Sequence, residues 1–123
     1  MPYPRIQWKK FPARRSLEQG GPWAADWERL NTQRGGLPVL TSDAINSSVN
    51  LLGAGSEMLF VGSDAGRVVA MVVLVPEGRF RWRTFQPPQL PLGAWVGEAD
   101  FDLPDIGRSL LAGPLRTCLV LSI

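Results

Sequence analysis

Ten residues hold most of the chemical interest of this chain: Gln86-Pro87-Pro88-Gln89-Leu90-Pro91-Leu92-Gly93-Ala94-Trp95. Gln86 and Gln89 offer amide donors and acceptors, and Trp95 offers a flat apolar surface. With Leu92 and Gly93 between them, these residues are candidates for lining a substrate cleft. The segment also reads as a rigid connector that packs its own prolines and tryptophan. Pro88-Gln89-Leu90-Pro91 further satisfies the PxxP pattern of an SH3 ligand.

Immediately upstream, Arg79, Arg81 and Arg83 alternate with Phe80, Trp82 and Thr84. The period of two of a strand sends the arginines to one face. A guanidinium fork matches phosphate geometry, so the row is a candidate anion site. Otherwise that face is wet or paired, because unpaired charges are not buried. A solvated face is the expected reading. Downstream, Glu98, Asp100, Asp102 and Asp105 are close enough to supply an acid–base pair or to favour a helix N-terminus. Capping is the expected role.

Whole classes of chemistry are absent. The chain has no histidine and one cysteine, Cys118, inside an apolar run. A Ser-His-Asp triad, a Cys-His pair, a histidine zinc site and an internal disulfide are therefore excluded, and Cys118 reads as an inert core thiol. Gly53-Ala54-Gly55-Ser56 lacks the third glycine of a dinucleotide loop and precedes a strand. No catalytic residue and no metal site emerge from the sequence.

The elements that must position these residues are legible in the periodicity. A doubtful edge strand around residues 5–11 has Ile6, Trp8 and Lys10 on one face, within an irregular segment 1–21. From 22 to the end, the chain reads as one mixed α/β (α+β) lobe. A helix is expected from Pro22, with Trp23, Trp27 and Leu30 as its stripe and Gly35-Gly36 as its stop. Arg34 sits near the negative end of that helix. A second helix follows Leu37-Pro38-Val39-Leu40, capped by Thr41 or Ser42, with Ile45, Val49 and Leu52 inward and Gly53 as its stop.

A three-strand antiparallel meander comes next, over 57–61, 67–75 and 79–85. The first two strands flank a glycine-bounded loop, 62–66. The middle strand is apolar on both faces and should be central. A third helix is predicted from Pro104 with Ile106, Leu110 and Leu111 inward, then a buried strand over 115–123. That strand suits a parallel pairing across the helix.

The chain has 123 residues, 45% hydrophobic and 20% charged, and five tryptophans. A domain of this size buries roughly two thirds of the surface of its unfolded chain. The net charge is +2, mostly from arginine and read as spread along the chain, which argues against a nucleic-acid partner. The start is polar and proline-bearing, and the longest apolar run, 68–75, falls far short of the roughly 20 residues a membrane helix needs. The expectation is a cytoplasmic chain with no membrane partner; a homo-oligomer is left open.

Three stretches carry a resemblance. They are Trp27-Glu28-Arg29-Leu30-Asn31 with Leu37-Pro38-Val39-Leu40, then Val61-Gly62-Ser63-Asp64-Ala65-Gly66-Arg67-Val68-Val69-Ala70-Met71, then residues 82–95. With the order of two helices before a meander, they resemble the amino-terminal lobe of GCN5-related N-acetyltransferase (GNAT) proteins of the CelD/BcsL, FemAB-like type. The resemblance implies acyl transfer from acetyl-CoA or another acyl-CoA to an amine or hydroxyl, with Gln86, Gln89 and Trp95 along an acceptor groove.

Such proteins hold the pyrophosphate with an Arg/Gln-x-x-Gly-x-Gly/Ala loop. Here the region reads Ala99-Asp100-Phe101-Asp102-Leu103-Pro104-Asp105-Ile106-Gly107-Arg108, acidic and without those glycines. The resemblance therefore implies that a carboxyl-terminal catalytic lobe or second subunit supplies the cofactor site, and no cofactor is expected on this segment alone. The buried strand at the end of the chain agrees with a piece of a larger protein. The competing reading is a non-catalytic interaction domain that uses the Pro/Trp loop and an exposed sheet edge.

Overall fold

The computed structural model describes residues 6–53, 55–78, 81–86, 93–98, 100, 101, 103–113, 115 and 120–122, with backbone alone for 39, 52, 103 and 120–122. In chain order the elements are β1 (Gln7–Pro12), α1 (Ala24–Gln33), a 3-10 turn (Pro38–Leu40), α2 (Ser42–Leu52), β2 (Met58–Asp64), β3 (Arg67–Pro76), β4 (Arg81–Thr84), β5 (Trp95–Gly97), α3 (Leu103–Ala112) and β6 (Val120–Ser122). The fold is mixed α+β. One sheet runs β1-β2-β3-β4-β6, with β5 also on β3. All its pairings are antiparallel except β4 with β6, which is parallel across the α3 crossover.

Strand β3 is central, as its two apolar faces require. Met71, Val73 and Val75 join Leu59, Val61, Trp27, Leu30, Ile45 and Val49 in a core beneath α1 and α2. Ala70, Val72 and Leu74 join Phe60, Ile106 and Leu110 in a second core beneath α3. The sheet is therefore a middle layer, with the first two helices on one face and the third on the other. A bulge leaves Val69 unpaired between the partners Gly62–Ala70 and Ser63–Val68. It reverses the alternation, so Val68 reaches the α1 side with the odd-numbered residues.

Each helix is set by local chemistry. The hydroxyl of Thr41 accepts the Ala44 N–H at 3.2 Å and caps α2. Trp27 is fully buried, and its indole donates to the Leu40 carbonyl at 2.7 Å, tying α1 to the 3-10 turn. The Trp8 indole donates to Ser109 Oγ at 3.0 Å, tying the edge strand to α3.

Several sequence expectations shift. Helix α1 begins at Ala24, not Pro22, because Trp23 is its N-cap with non-helical φ of −120° and ψ of 0°, its N–H held by the Ser16 carbonyl at 3.2 Å. The 62–66 loop shrinks to Ala65-Gly66, a turn with φ of 52° and 83°. Gly62 and Ser63 stay in the ladder because both pair with β1 and with β3. Leu111 is 41% exposed, one step round the helix from the Ile106–Leu110 stripe. Among the described residues the last strand is Val120–Ser122, and Leu115 is buried in the turn after α3. Cys118 lies outside the described residues. Among the described residues, no helix is long and apolar enough to cross a membrane.

Candidate functional site

The proline-rich segment leaves the sheet from β4 and returns as β5, a strand that the sequence reading had absorbed into the loop. Opposite Val73 stand two residues instead of one. The Phe85 N–H bonds to Val73 O at 2.8 Å, Val73 N–H to Ala94 O at 2.9 Å, and Ala94 N–H to Phe85 O at 3.1 Å. Phe85 and Ala94 thus pinch the neck of an eight-residue excursion, 86–93, in what is otherwise one continuous strand beside β3. The geometry is an oversized bulge, a device that re-aims chain at a sheet.

The candidate residues divide around this neck. Gln86 is exposed where the chain departs, and Gly93 is where it returns. A Cβ on Gly93 would lie 2.7 Å from Thr84 Cγ2, so glycine is required there for space. Trp95 heads β5, but its ring is not an open platform. The Arg34 guanidinium sits 3.8 Å from the ring centroid and also donates to the Trp95 carbonyl. Burial pulls that guanidinium below the usual arginine range, and it remains cationic. The cation–π contact takes the place a substrate ring would occupy. Gln89, Leu92 and Arg79 lie outside the described residues.

Of the arginine row, Arg81 and Arg83 are described and lie on β4. Arg83 Nε pairs with Glu77 Oε2 at 3.2 Å across the β3–β4 turn, both side chains 41% exposed, so the pair sits on a solvated face. Arg81 is exposed.

Glu98, grouped by sequence with the acidic cluster, has a different role. It is 8% exposed, and both carboxylate oxygens are held, one by Arg29 at 3.3 Å and one by Arg67 at 2.9 Å. Arg29 also donates to the Val68 carbonyl at 2.6 Å. A carboxylate so engaged locks the end of β5 to α1 and to the start of β3. Asp105 pairs with Arg108 at 2.9 Å in the first turns of α3. Sequence reasoning missed Arg29, Arg34 and Arg67, whose partners lie 31 to 69 residues away.

A cavity of about 420 Å³ lies at the start of α2, lined in part by Glu28, Thr41, Ser42 and Asp43. Its helix-end amides are already taken, Ala44 N–H by Thr41 and Ser42 N–H by the Glu28 carboxylate. With Asp43 beside them, it does not favour an anion. Among the described residues, no cluster of three histidine, cysteine, aspartate or glutamate side chains is placed to hold a metal.

Comparison of the chain with protein-family models, curated proteins and solved structures gives no match. What the described residues offer is a neck at Phe85 and Ala94, beside a β5 end whose Glu98 is paired with Arg29 and Arg67.

Proposed function

We propose that this chain is the amino-terminal lobe of an acyl-CoA-dependent N- or O-acyltransferase of the GNAT type, acting in the cytoplasm and supplying scaffold and part of an acceptor groove. The observation that carries the reading is the arrangement of elements. Two helices cover one face of an antiparallel meander, and a third crosses the other face to a strand parallel to β4. Acyl transfer on such a frame works by holding the acceptor in line and stabilising charge on the thioester oxygen, which needs no histidine.

Within this lobe the acceptor contact falls to Gln86 and the segment after it. Trp95, clasped by Arg34, holds the returning end in place. The residues before and within α3 do not fit the pyrophosphate of coenzyme A. Asp100 is exposed there, and Asp105 stands in the first turn, where an anion would be repelled. The thioester is therefore assigned to a carboxyl-terminal lobe or second subunit.

The interaction-domain alternative is disfavoured at one of the sheet's two edges. The outer edge, β1, carries exposed Lys9, Lys10 and Pro12, the residue types that block strand addition.

The test is thiol release from acetyl-CoA by the product of the whole gene, offered amine and hydroxyl acceptors. Turnover is expected, with Gln86→Ala raising the acceptor KM several-fold and leaving the acetyl-CoA KM unchanged. No thiol release with any acceptor would overturn the reading.

A further inference from the structure

The cations are less evenly spread than the net charge suggests. Five of the thirteen lie in the first fifteen residues, which contain none of the eleven acids. Lys9, Lys10, Arg14 and Arg15 of this group are described, and all four are exposed. Elsewhere Arg29, Arg67, Arg83 and Arg108 each hold a carboxylate, Arg34 holds a carbonyl and a ring, and Arg81 is exposed with no ion pair among the described residues. Arg14 and Arg15 hold nothing among the described residues.

These two arginines border an open depression of about 470 Å³ between β1 and α1. Its floor is apolar: Phe11 and Trp23, with ring centroids 5.2 Å apart and planes tilted by 44°, flanked by Pro12 and Pro22. Glu18 is the one acid on its rim. The surrounding loop is preformed. Leu17 is fully buried beneath it, Ala13 N–H bonds to Glu57 O at 3.0 Å, and Trp23 N–H closes on Ser16 O.

Arg15 has a φ of 70°, in the left-handed region that suits glycine. For a residue with a Cβ this conformation costs about 1–2 kcal/mol. The fold makes no use of the side chain that incurs this cost.

We propose that the depression docks an acidic peptide segment of a partner protein. An apolar side chain of the peptide sits on Phe11 and Trp23, and its carboxylates are taken by Arg14 and Arg15. Charge complementarity selects the occupant, since two unmatched guanidinium forks flank an apolar floor. A single nucleic-acid strand fits less well. Base stacking needs an open ring face, and here the two half-buried rings lean on each other. A small molecule fits less well too, because the depression is too open to enclose it. The proposal stands apart from the acyltransferase reading and does not depend on it.

The experiment is fluorescence anisotropy of a fluorescein-labelled octapeptide alternating glutamate and leucine. It is repeated with a peptide carrying glutamine for glutamate, and with an eight-nucleotide oligothymidylate. The expected result is saturable binding of the acidic peptide, weakened on the order of tenfold by Arg15→Gly and by Arg14→Ala. The glutamine peptide should bind correspondingly less. Thermal melting of Arg15→Gly separates binding from folding, since glycine fits the backbone at that position and should not lower the midpoint. Absence of saturable peptide binding, binding indifferent to Arg15→Gly, or preference for the oligothymidylate would each overturn the proposal.

Discussion

The two flanks of α1 treat their charges in opposite ways. At the β5 flank, Glu98 is matched by Arg29 and Arg67, and Arg34 lies on Trp95. At the β1 flank, Arg14 and Arg15 border an apolar depression with Glu18 on its rim, and neither forms an ion pair among the described residues. The first arrangement holds a short strand in a sheet; the second makes no side-chain hydrogen bond or ion pair among the described residues. Matched charges here belong to the architecture, and the unmatched ones are available to a ligand. An arginine count alone does not separate the two kinds.

The comparison can be broken by substitutions on either flank. The largest effect is expected where an apolar side chain, not a charge, carries the structure. Leu17→Ala, beneath the Arg14–Arg15 loop, should cost about 3 kcal/mol by cavity formation and collapse the depression, as urea unfolding would measure. A smaller loss is expected from Glu98→Gln. The carboxamide keeps the shape but turns an N–H₂ toward one guanidinium. Because Arg29 and Arg67 are 39% and 65% exposed, solvent limits the loss to about 1 kcal/mol. If Glu98→Gln unfolded at the same denaturant concentration as the parent, the matched flank would not be structural.

Arg81→Ser should change stability by no more than about 0.5 kcal/mol, since the side chain is exposed. A loss of several kcal/mol would mean that its face is buried and paired.

How much of this was legible in sequence follows from the range of the interactions. The helical stripes and the doubly apolar β3 were readable because both patterns are local and periodic. The three-residue β5 was not, since it is too short to show alternation and stands behind a proline-rich segment. Trp95 looked like a binding surface until Arg34, 61 residues earlier, was placed against it. Glu98 looked like one of a group of helix-capping acids because its partners come from α1 and the start of β3. By contrast, the acid-free opening of fifteen residues was visible in the sequence and was obscured by a net charge of +2.

The central claim is the proposal that this chain is scaffold and acceptor surface rather than cofactor site. Titration calorimetry of the 123-residue chain with acetyl-CoA tests it most directly. The expected result is no heat of binding, because the approach to α3 is acidic. Micromolar affinity would contradict the claim and return the cofactor to this lobe.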